Sequence, residues 1–341
     1  MRLTRREILD YLRAPSSDAL MARADAVRKE YCGETVYIRG LIEISNHCAR
    51  NCLYCGLRRD HTALPRYRMT REEILGAVSS IVAQGIKTIV LQSGDDLGFT
   101  QKDICHVVES IKSSHGDVAV TLSLGERTDD DYRAFKGSGA DRYLMRHEVA
   151  NPVLYEKLHP GQSLSVRIRN LHFLRGIGFQ VGAGFMVGLP GQTDDDLASD
   201  ILFLEDFLPD MAGIGPFIPQ ANTPLAGEAQ GREDATLRAL ALARIATRFA
   251  HLPATTALAT VDKQDGLSAG LKAGCNVIMT NNTPDHHRQH YRIYDKKTRV
   301  DLTRAMDACR KAVRHLSGDR GDSIRACHQS AMSQSFEQTF I

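Results

Sequence analysis

Cys48-Ala49-Arg50-Asn51-Cys52-Leu53-Tyr54-Cys55 sets three thiols in a C-x3-C-x2-C run directly after a β-rich segment, 36–45. Three cysteines this close cannot form a sensible disulfide set, and a structural zinc site needs a fourth ligand. Only His47 and His61 stand near enough to supply one, and each reads more simply as a loop histidine. A cubane 4Fe–4S cluster is closed by one thiolate per iron, so three thiolates leave one iron open. The run predicts one such cluster, held by three cysteines, with a free corner that binds something else.

Outward from this loop, strand-like and helix-like stretches alternate. Strands are predicted at 36–45, 87–92, 118–124, 142–146, 179–186, 211–214, 254–259 and 276–278, the last two on the weakest patterns. Between them lie helices: 71–84, opened by a Thr70 to Glu73 capping box and stopped at Gly85, then 102–113, 129–137, 164–177, 194–207, 236–249, 266–272 and 302–316. Alternation implies a parallel sheet, and eight units imply an α/β fold of the closed (β/α)8 TIM-barrel kind. A six-unit partial barrel is the alternative. Residues 1–33 read as a helical extension split at Pro15, 34–317 as the barrel, and 318–341 as a tail packing on it.

Barrel active sites form where strands end and loops begin. After the successive predicted strands come the cysteine loop, Gln92-Ser93-Gly94-Asp95-Asp96, Ser123-Leu124-Gly125-Glu126, Arg146-His147-Glu148, the glycine-rich 188–193, Gly215-Pro216-Phe217, Thr255-Thr256 and Asn281-Asn282. Polar and glycine-rich residues crowd one end. The balance of 43 basic and 41 acidic residues argues against a nucleic-acid footprint. No apolar run reaches membrane-spanning length and the charged N-terminus is no signal peptide, so a cytoplasmic location with reduced thiols is expected.

The cysteine spacing, with Tyr54 before the third thiol, resembles the signature of the radical SAM superfamily. That resemblance implies that the open iron chelates S-adenosylmethionine and that an electron from the cluster cleaves it to a 5'-deoxyadenosyl radical. Such a zwitterion needs a cation for its carboxylate and acceptors for its ammonium and hydroxyls. Arg167 offers the fork, with Arg169 as rival. Glu148 offers acceptor oxygens, or else pairs with Arg142 or Arg146. The Ser93-Gly94 turn resembles the superfamily motif that receives the ammonium, and Ser123 is a second donor to the carboxylate.

Beyond the superfamily, the tracts CGLRRD (55–60), ADRYLMRHE (140–148) and GIGPFIP (213–219) resemble HydE, a family of FeFe-hydrogenase maturation enzymes. The methylornithine synthase and biotin synthase branches are the relatives to exclude, and a non-enzymatic iron–sulfur scaffold is a further alternative. The HydE resemblance implies radical attack on a sulfur-containing substrate, small or organometallic, delivered by another hydrogenase maturase. A ferredoxin or flavodoxin would donate electrons, with neither nucleic acid nor membrane as partner. It matches Cys48, Cys52 and Cys55 to the cluster, and Ser123, Glu148 and Arg167, with Tyr54, Ser93, Gly94 and Met186, to S-adenosylmethionine. Gln92, Thr121, Arg142, Met211, Thr255 and Thr256 match the substrate cavity, where a buried Arg142 would suit an anion. Cys275, Cys309 and Cys327 are too scattered for a second cluster. His286, His287 and His290 resemble metal ligands, yet in their charged loop they read more simply as solvated.

Overall fold

The computed structural model describes residues 2–325. Its strands are β1 (Thr35–Ser45), β2 (Thr88–Ser93), β3 (Ala119–Ser123), β4 (Arg142–Leu144), β5 (Gln180–Ala183), β6 (Met186–Val187), β7 (Met211–Ala212), β8 (Gly215–Pro216), β9 (Pro253–Ala254), β10 (Val277–Asn281) and β11 (His315–Ser317). Hydrogen bonding runs in the order β7-β5-β4-β3-β2-β1-β10-β9, every pair parallel. The ring closes through one bridge, Met211 to His251, where Ala212 N donates to His251 O at 3.0 Å and His251 N to Asp210 O at 2.9 Å. This is the eight-stranded TIM-type barrel expected, and the six-unit alternative is set aside.

The helices are α1 (Arg5–Arg13), α2 (Asp18–Cys32), α3 (Arg71–Ala83), α4 (Gln101–Ser114), α5 (Asp129–Gly137), α6 (Pro152–Leu158), α7 (Leu164–Gly176), α8 (Asp194–Phe207), α9 (Glu233–Thr247), α10 (Thr256–Val261), α11 (Gly266–Lys272), α12 (Asp285–Arg288) and α13 (Leu302–Lys311). Capping boxes open α3 (Thr70 with Glu73), α4 (Thr100 with Asp103), α5 (Thr128 with Asp131) and α8 (Thr193 with Asp196). Each threonine satisfies an orphan amide just where the chain leaves a barrel loop. The core lies between sheet and helices, with Ile42, Ile89, Val120, Leu122 and Val181 fully buried against α3, α4 and α5 residues such as Ile81, Val108 and Phe135. The N-terminal helices α1 and α2 pack outside, on α8 and α9.

Several boundaries differ from the sequence pattern. The 179–186 stretch is cut into β5 and β6 at Gly184, whose φ of 142° lies outside the range of other residues and whose added Cβ would sit 2.0 Å from Gly213 O. The 254–259 stretch is strand only at its start, because Thr255 Oγ1 caps Leu258 N and turns the chain into α10. The helix at 302–316 stops at Lys311: the chain reverses at Val313, φ 55°, and 315–317 become β11 beside the start of β1.

From β11 the chain runs under the barrel. Arg142, wholly buried at the start of β4, donates through Nε to Gln180 Oε1 (3.0 Å) and Nη1 to Thr88 Oγ1 (3.0 Å). Its Nη2 lies 2.9 Å from each of Arg320 O, Gly321 O and Asp322 Oδ1. Ser323 Oγ donates to Asp210 at 2.5 Å, and His251 Nε2 bonds Asp322 O at 3.0 Å. The described part of the tail, 318–325, plugs the barrel at the strand starts.

Candidate active site

The cysteine loop leaves β1 at Ser45 and is built from inside. Arg66 donates to the carbonyls of Leu57, Arg58 and His61 at 2.9, 2.8 and 3.2 Å, and His61 Nδ1 meets Gly56 O at 2.7 Å. The Nδ1 proton of His61 is thereby given to the loop backbone, and among the described residues its ring stands in no cluster of metal-type ligands. Two glycines let neighbouring loops close on the thiols: a Cβ on Gly94 would lie 2.7 Å from Cys48 Cβ, and one on Gly56 1.9 Å from Arg292 O. Ala49 N then donates to Asp95 O at 2.9 Å, and Leu53 N to Leu158 O at 2.9 Å.

All three thiols are free, half-buried and turned to one cavity of about 340 Å³ at the strand ends. Burial, and then the crowding of the neighbouring thiols, raises the pKa of Cys55 and pushes Cys52 up to about 12; burial and Asp95 raise Cys48. Bare, such a trio holds its protons. A multivalent iron cluster reverses that preference, because a thiol gives up its proton when it binds metal as the thiolate. Gln162 Nε2 stands 3.5 Å from Cys52 Sγ, a donor suited to a thiolate. The donor set fits an iron–sulfur cluster with an open corner.

Around the cavity runs an alternating set of charges. Arg50 donates through Nε to Asp95 (2.7 Å) and through Nη2 to Glu126 (3.0 Å), while Arg167 Nε lies 2.9 Å from Glu126 Oε1 and donates to Tyr155 OH at 3.1 Å. Burial presses Arg167 toward neutrality, but Tyr155, Glu126, Asp95 and Glu148 outweigh it and hold its guanidinium charged. Glu148 pairs with Arg146 at 3.3 Å and occupies the left-handed region at φ 67°, a strained backbone for a glutamate. Strand pairing fixes it there: Glu148 N donates to Gly184 O at 2.9 Å and Met186 N to Glu148 O at 3.0 Å. Tyr54 OH donates to His159 Nε2 at 2.7 Å, whose Nδ1 is bound to Tyr155 O, also at 2.7 Å. Burial then lowers the His159 pKa to about 4.

Of the residues matched from sequence, the structure brings Tyr54, Ser93, Gly94, Ser123, Glu148, Arg167 and Met186 to this cavity, together with Gln92, Thr255 and Thr256. Thr121, Arg142 and Met211 do not line it. Arg142 lies outside it, its donors taken by Gln180, Thr88 and the chain's own tail. Thr121 pairs with Arg142 across β3 and β4, and Met211 Sδ accepts from the buried Arg39 at 2.7 Å. Arg169 points away, to Asp129. Cys275 and Cys309 are buried core residues, and Cys327 lies outside the described residues. Sequence reading passed over Glu126, the carboxylate between Arg50 and Arg167, although it closes the polar run after β3.

Residues 42–204 match the family model of the radical SAM superfamily. The FeFe hydrogenase maturase subunit HydE of Thermotoga maritima is 50% identical over 281 residues, 82% of this chain and 80% of that protein. A 3-methylornithine synthase of Methanosarcina barkeri is 26% identical over 82% of this chain and 79% of its own. Among solved structures, methylornithine synthase superposes with a TM-score of 0.83 at 23% identity, covering 96% of this chain and 97% of that one, a likeness of fold. Barrel, cysteine loop and family model define a radical SAM enzyme, which uses a 4Fe–4S cluster and S-adenosylmethionine. Within that class the chain belongs to the HydE family.

Proposed function

We propose that this protein is a HydE-type maturase, acting on a sulfur-containing substrate during assembly of the diiron cofactor of FeFe hydrogenase. The observation that carries the reading is convergence: the cysteine loop and Arg50, Arg167 and Glu148 open into one cavity at the strand ends, with Glu126 bridging the two arginines, in a chain 50% identical over 82% of its length to a HydE maturase.

Cys48, Cys52 and Cys55 hold the cluster. When bound, it supplies the electron that cleaves S-adenosylmethionine to a 5'-deoxyadenosyl radical. The chain's residues bind and orient. The Arg167 fork and Ser123 take the methionyl carboxylate, Glu148 and the Ser93-Gly94 turn accept from ammonium and ribose hydroxyls, and Tyr54 and Met186 wall the nucleoside. Gln92, held by Tyr291 OH at 3.0 Å, and Thr255 and Thr256 face the space left for a small or organometallic substrate. Buried walls such as Leu41, Phe217 and Ile218 keep water from a reactive intermediate. A low-potential ferredoxin or flavodoxin and the other hydrogenase maturases are the partners this assigns, in the cytoplasm.

Anaerobic reconstitution with iron and sulfide should give cluster absorption and dithionite-driven release of 5'-deoxyadenosine. The same chain should restore hydrogenase activity to cells lacking their own HydE. If it cleaves S-adenosylmethionine yet fails in such cells while soluble and cluster-loaded, the maturase assignment falls and a paralogue acting on another small substrate replaces it.

A further inference from the structure

Away from the cavity, three ligand-type side chains from distant parts of the sequence meet. Glu73 stands in the first turn of α3, and His286 and His287 are consecutive in α12, on the loop after β10. His287 Nε2 lies 3.0 Å and His286 Nε2 3.4 Å from the same carboxylate oxygen, Glu73 Oε1. All three donor atoms lie within 4.8 Å of one another.

The arrangement is held in place on two sides. Glu73 Oε2 accepts from Thr70 N at 2.7 Å as half of the α3 capping box, so the carboxylate cannot turn away without uncapping the helix. The His287 ring stacks on Tyr67, centroids 4.5 Å apart and 22° from parallel. One histidine would suffice for an ion pair, which at such exposure contributes little. A second ring, 4.1 Å from the first and aimed at the same oxygen, adds charge repulsion whenever both are protonated. Two neutral imidazoles and a carboxylate are instead the donor set of a borderline divalent ion with positions left for water. Ligands bound at about 2.0–2.2 Å in a tetrahedral shell stand roughly 3.3–3.6 Å apart, close to the separations already present.

We propose that Glu73, His286 and His287 form a binding site for one divalent transition-metal ion of the zinc class, separate from the cysteine loop. The ion would fasten α3 to α12. Just beyond α12, His290 O accepts from Asn46 Nδ2 at 2.9 Å, and buried Tyr291 packs with Leu57 and Leu64 beside Cys48 and Cys55. A metal here therefore clamps the last barrel loop over the cysteine loop.

The test dialyses cluster-loaded protein anaerobically against micromolar zinc, then counts zinc and iron separately by elemental analysis, with melting followed in parallel. The expected result is about one zinc per chain, cluster iron unchanged, and a rise in melting temperature. Glu73→Gln keeps the helix cap, since glutamine also serves at that position, and should bind zinc at least tenfold more weakly. His287→Ala and His286→Ala should lose it, while His290→Ala should retain it. Wild-type protein that takes up no zinc overturns the proposal, as does uptake that Glu73→Gln and both histidine variants leave unchanged or that displaces iron.

Discussion

The two ends of the barrel each bury an arginine, and they use it in opposite ways. At the strand starts, every nitrogen of Arg142 is bonded to the protein itself: two side chains of the barrel, two tail carbonyls and Asp322. At the strand ends, Arg167 sits in an open cavity among carboxylates, beside three thiols whose protons a metal must displace. A saturated cation is architecture, whereas one that borders a cavity full of further donors and acceptors is equipment for a ligand. Exchange of roles between the two ends is what experiments should attempt to find.

The largest effect belongs to the thiols. Cys52→Ala should abolish 5'-deoxyadenosine release and most cluster absorption, yet shift the unfolding free energy of the metal-free protein by about 1 kcal/mol or less, as expected for a half-buried side chain. Arg142→Leu should do the reverse. It strands buried carbonyls and costs about 3–5 kcal/mol in denaturant titrations, with turnover per cluster unchanged in protein that remains folded. Should Arg142→Leu instead spare stability and weaken turnover, the contrast between the ends is wrong.

A smaller, pH-dependent effect sharpens the same contrast. His159 is buried neutral with a pKa of about 4 against 6.5 for an ordinary histidine, so the unfolded chain binds the extra proton first. Its contribution is complete above pH 6.5 and is lost as pH falls from 6.5 through about 4, amounting to about 3 kcal/mol at the acid end. Melting curves of the wild type and His159→Gln should therefore converge toward acid pH. Smallest is Glu148→Gln, which removes one charged acceptor worth about 1.5–3 kcal/mol. It should weaken S-adenosylmethionine binding about 10- to 100-fold by equilibrium dialysis, with cluster absorption intact.

Local chemistry was readable in the sequence; long-range placement was not. The cysteine triplet, the Thr70 to Glu73 cap and the alternation of strands and helices declare themselves within a few residues, and the barrel follows from their repetition. The polar residues at the strand ends could be assigned to one mouth by barrel logic alone. Arg142 could not be placed, because its partners lie 178 to 180 positions away in the tail, and a buried arginine on a strand looks the same whether a substrate or a carbonyl awaits it. The end of α13 was missed for a like reason. Nothing near Val313 announces a strand until β1 is there to receive it.

The single bridge between Asp210–Ala212 and His251 means that the barrel is a hoop with a join. The tail lies across that join: Ser323 grips Asp210 on one side and Asp322 grips His251 on the other. Those few residues act as a buckle, so a chain cut short before Asp319 would be a hoop free to spring open at that point, and backbone amides there would be the first of the eight staves to trade their hydrogens with solvent.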